Sequence, residues 1–190
     1  MFGIAFVTHV AAVLLDTPSG ALQNCEAPVI SKASTVAEVR ADFSSRGKTV
    51  LTLMGYSGAD YQDSTAMLER VSAVLGAFDA HKTIVNIGAS ADGIGAAYQV
   101  ARKKGFETTG IVSSQARESK ATFAPCAGTV FVVEDQSWGG FVKGTATLSA
   151  TSEAIVSVSD HVVAIGGGDI ARDEFKRRTT CREENPILPG

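Results

Sequence analysis

Residues 81–105 read HKTIVNIGASADGIGAAYQVARKKG, and the reading of this stretch decides the fold. Thr83 to Ile87 is a short, mostly β-branched run, the composition of a buried strand. Gly88, Gly93 and Gly95 then interrupt it. From Gly93 onward Ile94, Ala97, Val100 and Ala101 recur at three- and four-residue spacing, as on one face of a helix. Lys103, Lys104 and Gly105 close the helix with cations in its last turn and a glycine at its end. The unit is strand, glycine turn, helix. Such a turn suits an anion, because the first N–H groups of a helix lack internal acceptors and carry the positive end of its dipole. The spacing fits neither a P-loop nor G-x-G-x-x-G. A tight turn whose glycines only relieve sterics is therefore an equal reading of these residues.

Working outward, the unit repeats. Thr35-Val36-Ala37-Glu38 has capping-box form, and Val36, Val39 and Phe43 continue at helical spacing toward Gly47. Thr49 to Met54 reads as a strand and runs into Gly55-Tyr56-Ser57-Gly58. Met67, Leu68, Val71, Val74, Leu75 and Phe78 mark the next helix. Beyond Gly105, strands are expected at Glu107–Val112, Thr129–Val133 and His161–Ile165, with a loop or short helix over 115–127 and a helix beginning near Thr151 or Ser152. Gly166-Gly167-Gly168 follows the last strand and precedes a helix with Ile170, Glu174 and Phe175. Short β-branched runs alternating with helices predict an α/β fold, a single doubly wound, mostly parallel sheet. The three glycine turns then lie on one edge of that sheet, where ligands bind in open α/β folds.

Composition narrows the classes. The chain has 190 residues, 45% hydrophobic and 19% charged, enough for one domain with a sizeable core. A net charge of −3, with no dense Lys/Arg block before residue 176, argues against nucleic acid as the main partner. Cys25, Cys126 and Cys181 are odd in number and far apart, with neither metal-ligand spacing nor a disulfide framework. That pattern fits a reducing, cytoplasmic setting. The apolar N-terminus, MFGIAFVTHVAAVLLD, lacks a positive n-region and is short for a membrane span. It reads as a buried strand or helix, with an export signal as the alternative. Residues 17–34 are turn-rich. The domain expectation is an N-terminal segment and linker over 1–34, a nucleotide-binding domain over 35–178 and a tail over 179–190, in which Ile187 and Leu188 could add an edge strand.

Over residues 48–178 the chain resembles the Rossmann-like superfamily of the Lonely Guy phosphoribohydrolases, or lysine decarboxylase-like proteins, to which the molybdenum-cofactor carrier proteins are related. Leu51 to Gly58 is similar to that family's first strand and glycine/serine turn, and Ile87 to Ala96 to its second. Val162 to Glu174 resembles the signature Pro-Gly-Gly-x-Gly-Thr-x-x-Glu. Gly167, Gly168 and Glu174 fall in place, whereas Gly166, Ile170 and Ala171 stand at the proline, third-glycine and threonine positions. The family's catalytic Arg-Lys pair is replaced by Thr151-Ser152.

The resemblance implies a Rossmann-like fold, a small phosphorylated ligand of nucleotide type, and the homodimers common in these families. No cofactor is named by it. The candidate ligand-binding residues are Gly55, Tyr56, Ser57 and Gly58, then Ser90, Asp92, Gly93, Ile94 and Gly95, then Thr151 and Ser152, and last Gly166, Gly167 and Gly168. Glu174 is the catalytic candidate, for polarising a ribose or activating water. The missing arginine favours a carrier or sensor. The alternatives are a phosphoribohydrolase acting on a nucleoside monophosphate and an interaction domain with a vestigial site. Glu134 and Asp135 could hold ribose hydroxyls or a cation, or merely end a strand in solvent. Lys143 and Trp138 could reach a phosphate and a base, or belong to the surface and to loop packing. His9, His81 and His161 do not cluster and read as structural.

Overall fold

The computed structural model describes residues 25–184. The apolar N-terminal segment, His9, Ile187 and Leu188 lie outside the described residues. The elements in chain order are β1 (Val29–Ser34), α1 (Val36–Ser45), β2 (Thr49–Gly55), α2 (Ser64–Leu75), β3 (Thr83–Ile87), a 3₁₀ turn (Gly93–Ala96) leading into α3 (Ala97–Lys103), β4 (Glu107–Ser113), α4 (Ser114–Glu118), β5 (Thr129–Val133), α5 (Ala150–Val158), β6 (His161–Ile165) and α6 (Asp169–Glu184). The strands form one six-stranded sheet in the order β1-β5-β4-β3-β2-β6, and every neighbouring pair is parallel. The chain winds from β2 through β3 and β4 to β5, then returns to place β6 on the other side of β2. The direction of winding reverses at β2, the topological switch point of a doubly wound fold.

Strand parity sorts the core into two layers. Val50, Met54, Ile84, Ile111 and Phe131 face α1 and α5 with the start of α6, alongside Val39, Phe43, Ala154, Ile155 and Ala171. Leu51, Leu53, Val85, Ile87, Val130 and Val132 face the opposite way, onto Met67, Val71 and Leu75 of α2 and Ala97, Tyr98 and Ala101 of α3. Burial on both faces explains why these strands read as apolar runs rather than alternations. A polar row crosses the first layer in register. Asn86 donates to Thr52 at 3.3 Å, Thr109 donates to Asn86 at 3.3 Å, and Thr52 pairs with Ser159 at 2.6 Å, so these buried side chains are all partnered.

Local signals hold where they are strong. Thr35 caps α1 through the Glu38 N–H at 3.2 Å, and Glu38 accepts from the Thr35 N–H at 2.7 Å, completing the capping box. Two expectations need correction. The turn-rich link to residue 34 ends in a strand: Val29–Ser34 pairs with β5 at the sheet edge. It is easily missed because Pro28 precedes it and Val29 and Ile30 stay exposed, so no alternation marks a buried face. The cysteines are also not independent. Cys25 and Cys126, separated by 101 positions, form a disulfide with their Cα atoms 4.7 Å apart. Since such bonds persist in oxidising settings, cysteine spacing no longer supports a reducing compartment. The last helix, α6, extends to Glu184.

Tyr98 ties α3 to the sheet. Its buried hydroxyl lies 3.0 Å from the Ile87 carbonyl and 2.8 Å from the Thr109 carbonyl, and accepts from the Ala89 N–H at 3.3 Å. Burial raises its pKa far above the usual phenol value. Tyr98→Phe strands these backbone groups away from water and is expected to cost about 1–3 kcal/mol in urea denaturation. A midpoint equal to wild type would show that the hydroxyl is dispensable.

Candidate functional site

A cleft of about 710 Å³ opens at the carboxyl edge of the sheet, over the ends of β2, β3, β4 and β6. Its walls are largely apolar: Leu53, Met54, Ile87, Ile111, Val112, Phe123, Ile155 and Ile170. Trp138, more than half exposed, stands at its margin. Polar groups come from Ser57, Ser90, Asp92, Ser113, Thr122, Thr151, Asp169 and Glu174. No Lys, Arg or His lines it among the described residues.

Glycine turns at the ends of β2 and β6 build one corner. The Tyr61 hydroxyl accepts from the Tyr56 N–H at 3.2 Å and donates to the Ile165 carbonyl, joining the two strand ends. Burial raises its pKa. Gly166 sits under the Tyr56 ring, where a Cβ would come within 2.7 Å of Cε2. At Gly167 a Cβ would lie 2.7 Å from the Ala171 Cβ. These two glycines pack the corner, while Gly168 lines the cleft with Asp169, Ile170 and Ala171, the first turn of α6.

The β3 turn is used differently from expectation. The Ile94 N–H donates to the Tyr56 carbonyl at 2.8 Å, and the Gly95 N–H to the Asp92 carbonyl at 3.1 Å. A Cβ on Gly93 would fall 2.2 Å from the Tyr56 carbonyl oxygen, and one on Gly95 would fall 1.8 Å from that of Ser90. Both glycines are buried where two turns stack, and neither lines the cleft. Of the sequence candidates, Gly55, Tyr56, Ser57, Gly58, Ser90, Asp92, Ile94, Thr151, Gly168 and Glu174 do line it.

Glu174 is the chemically distinctive group. Its residue is only 5% exposed, yet it lines the cleft. The Ser152 hydroxyl accepts from the Gly140 N–H at 2.7 Å and donates to Glu174 Oε1 at 2.5 Å. Ser152 is thus a support for Glu174 rather than a lining residue. Burial pushes the Glu174 carboxyl up to about 7, against the opposing effect of the Ser152 bond and with help from the neighbouring Asp173 charge. Since Ser152 donates to Oε1, a proton carried by the acid would sit on Oε2. Asp173 accepts from the Phe141 N–H at 3.3 Å and fastens the 138–148 loop to α6.

Asp135 has a structural task. While Ser149 caps α5, Asp135 accepts from the Thr151 N–H in its first turn at 2.9 Å and from the Ser137 N–H and hydroxyl at 2.9 and 2.7 Å. Burial alone would raise its pKa, but these bonds outweigh it and hold the carboxyl down to about 2. The Thr151 hydroxyl lies near enough to this carboxylate to help lower its pKa, yet it falls outside hydrogen-bond geometry and remains a buried polar group without a partner. Glu134 and Lys143 are exposed and away from the cleft. His161 packs edge-on against Phe78. Sequence reasoning missed Thr122 and Phe123 as wall residues. They carry no motif, and an isolated antiparallel bridge between Ser90 and Phe123 brings them in.

No protein-family model matches the chain, and no curated protein matches it. Among the described residues no helix is long and apolar enough to cross a membrane, and no group of three His, Cys, Asp or Glu could hold a metal ion.

Proposed function

We propose that the protein binds a nucleotide-like phosphorylated ligand in the carboxyl-edge cleft, as a carrier or sensor. The observation that carries this reading is the convergence on one apolar cleft of the β2 glycine turn, Gly168 and the first turn of α6. The apolar walls suit a base, and the first-turn amides of a sixteen-residue helix suit a phosphate. With no cation in the lining, the phosphate would rest on backbone N–H groups and on hydroxyls such as that of Ser57. The unpaired Thr151 hydroxyl offers one further buried contact.

A second reading, cleavage of an N-glycosidic bond, is favoured by Glu174. A carboxyl with a pKa near 7 inside a ligand cleft is suited to general acid–base work. Against it stands the lack of any cation to assist the leaving group.

Thermal denaturation against nucleoside mono-, di- and triphosphates, with free base and ribose 5-phosphate assayed in the same samples, tests both. A ligand at a hundred times its dissociation constant adds about 2.7 kcal/mol of stability. Stabilisation without base release is the expected result. Stabilisation with base release would favour the hydrolase. No stabilisation by any nucleotide would sink both.

A further inference from the structure

One wall of the cleft is held in an unusual way. The described residues contain three non-glycine residues with positive φ, namely Ala89 (52°), Lys120 (54°) and Cys126 (71°). Ala89 and Cys126 belong to one construction, while Lys120 follows the C-cap of α4 and donates its N–H to the Arg117 carbonyl at 3.0 Å. Lys120 and Cys126 bracket the segment that carries Ala121, Thr122 and Phe123 along the cleft. Ala89 is that segment's partner, accepting from the Ala124 N–H at 2.9 Å beside the Ser90–Phe123 bridge. Left-handed backbone is unfavourable for residues with a Cβ and persists only where surrounding structure enforces it. At Cys126 the surroundings that enforce it include the disulfide to Cys25. From Cys25 the chain passes to Val29, whose N–H donates to the Gly128 carbonyl at 2.7 Å, so the bond also fastens the start of β1.

We propose that the Cys25–Cys126 disulfide is a redox latch on this wall of the cleft: oxidised, it holds Ala121–Phe123 against Ser90, and reduced, it lets them separate. The chemistry is a two-electron exchange with a dithiol. One thiolate of the reductant attacks the Sγ of Cys25, since the Cys25 residue is half-buried whereas Cys126 is almost fully buried. The S–S bond breaks and Cys126 leaves as thiolate. The second thiol of the reductant then attacks the mixed disulfide, releasing Cys25 and closing the reductant's own disulfide. Both protein thiolates take up protons. Release stays local, because the Thr108 hydroxyl continues to donate to the Cys126 carbonyl at 2.6 Å and keeps that end on β4. The latch does not depend on which ligand occupies the cleft.

Hydrogen–deuterium exchange of the full chain, before and after dithiothreitol, tests this directly. Reduction should speed exchange tenfold or more over residues 88–92 and 119–125, with β2 and α2 unchanged. The Cys25→Ser variant should show the reduced pattern without reductant. Unchanged exchange on reduction would overturn the latch, as would an equal rise throughout the sheet, which would make the disulfide a global staple. Alkylation of both Cys25 and Cys126 in air-oxidised protein, or an oxidised exchange pattern in Cys25→Ser, would overturn it as well.

Discussion

Gly95→Ala is expected to cost more than about 4 kcal/mol or to prevent folding. The new methyl carbon would lie 1.8 Å from the Ser90 carbonyl oxygen, a backbone atom with no rotamer to escape into. Moving Ser90 disturbs its bridge to Phe123 and the turn between β3 and α3. Gly58→Ala is the contrasting variant. Gly58 has a φ of 71°, but a Cβ there meets nothing within 4 Å. Its cost should be only the left-handed penalty of about 1–2 kcal/mol. Because Gly58 lines the cleft, the proposed function predicts that this variant also weakens stabilisation by nucleotide. Circular dichroism and urea denaturation of both proteins decide the matter. A Gly95→Ala protein with a wild-type midpoint would show that the stacked turns are looser than their contacts indicate.

Glu174→Gln should make the protein more stable above neutral pH and flatten its pH dependence. The native carboxyl keeps its proton up to about pH 7, whereas the unfolded chain releases it near 4.5. Between these values the native state binds more protons than the unfolded state, so stability falls as pH rises. The loss is complete above pH 7 and amounts to roughly 3 kcal/mol. Glutamine can accept the same Ser152 hydroxyl bond at Oε1 and has no charge to desolvate. Urea midpoints at pH 5, 6, 7 and 8 should therefore converge for the two proteins at low pH and separate at high pH, with the variant above. Parallel profiles would mean that Glu174 does not titrate in this range. The same variant bears on function. If Glu174 only frames a binding site, nucleotide-induced stabilisation survives the change. If it moves a proton, base release is lost while stabilisation remains.

Much of the fold was legible in the sequence, because its signals are local. Thr83–Ile87 and Thr129–Val133 are β-branched runs, and both are strands. Thr35 with Glu38 is a complete start signal within four residues, and α1 begins there. The apolar spacing from Met67 to Leu75 is visible without any partner. β1 was not legible. An edge strand carries little periodicity, and its pairing with β5 spans about a hundred positions.

The site was legible only in outline. Strand ends followed by glycine turns fall on one edge of any parallel sheet, so it could be expected from sequence that Gly55–Gly58 and Gly168 line the cleft, while Glu174 is named only through the family resemblance. What each group does there could not be expected from sequence. Gly93 and Gly95 have the composition of a phosphate turn, yet their lack of a Cβ is taken up by the Tyr56 and Ser90 carbonyls. Ser152 and Glu174 are 22 positions apart, and only the packing of α6 beside α5 makes one the support of the other. Cys25 and Cys126 look unrelated until the β1 edge folds back onto the sheet. The sequence by itself determined the alternation of strands and helices, since propensity and periodicity act over a few residues. Tertiary structure alone decided which turns stack, which acid is buried and which cysteines meet, since those depend on distances that close only when the sheet assembles.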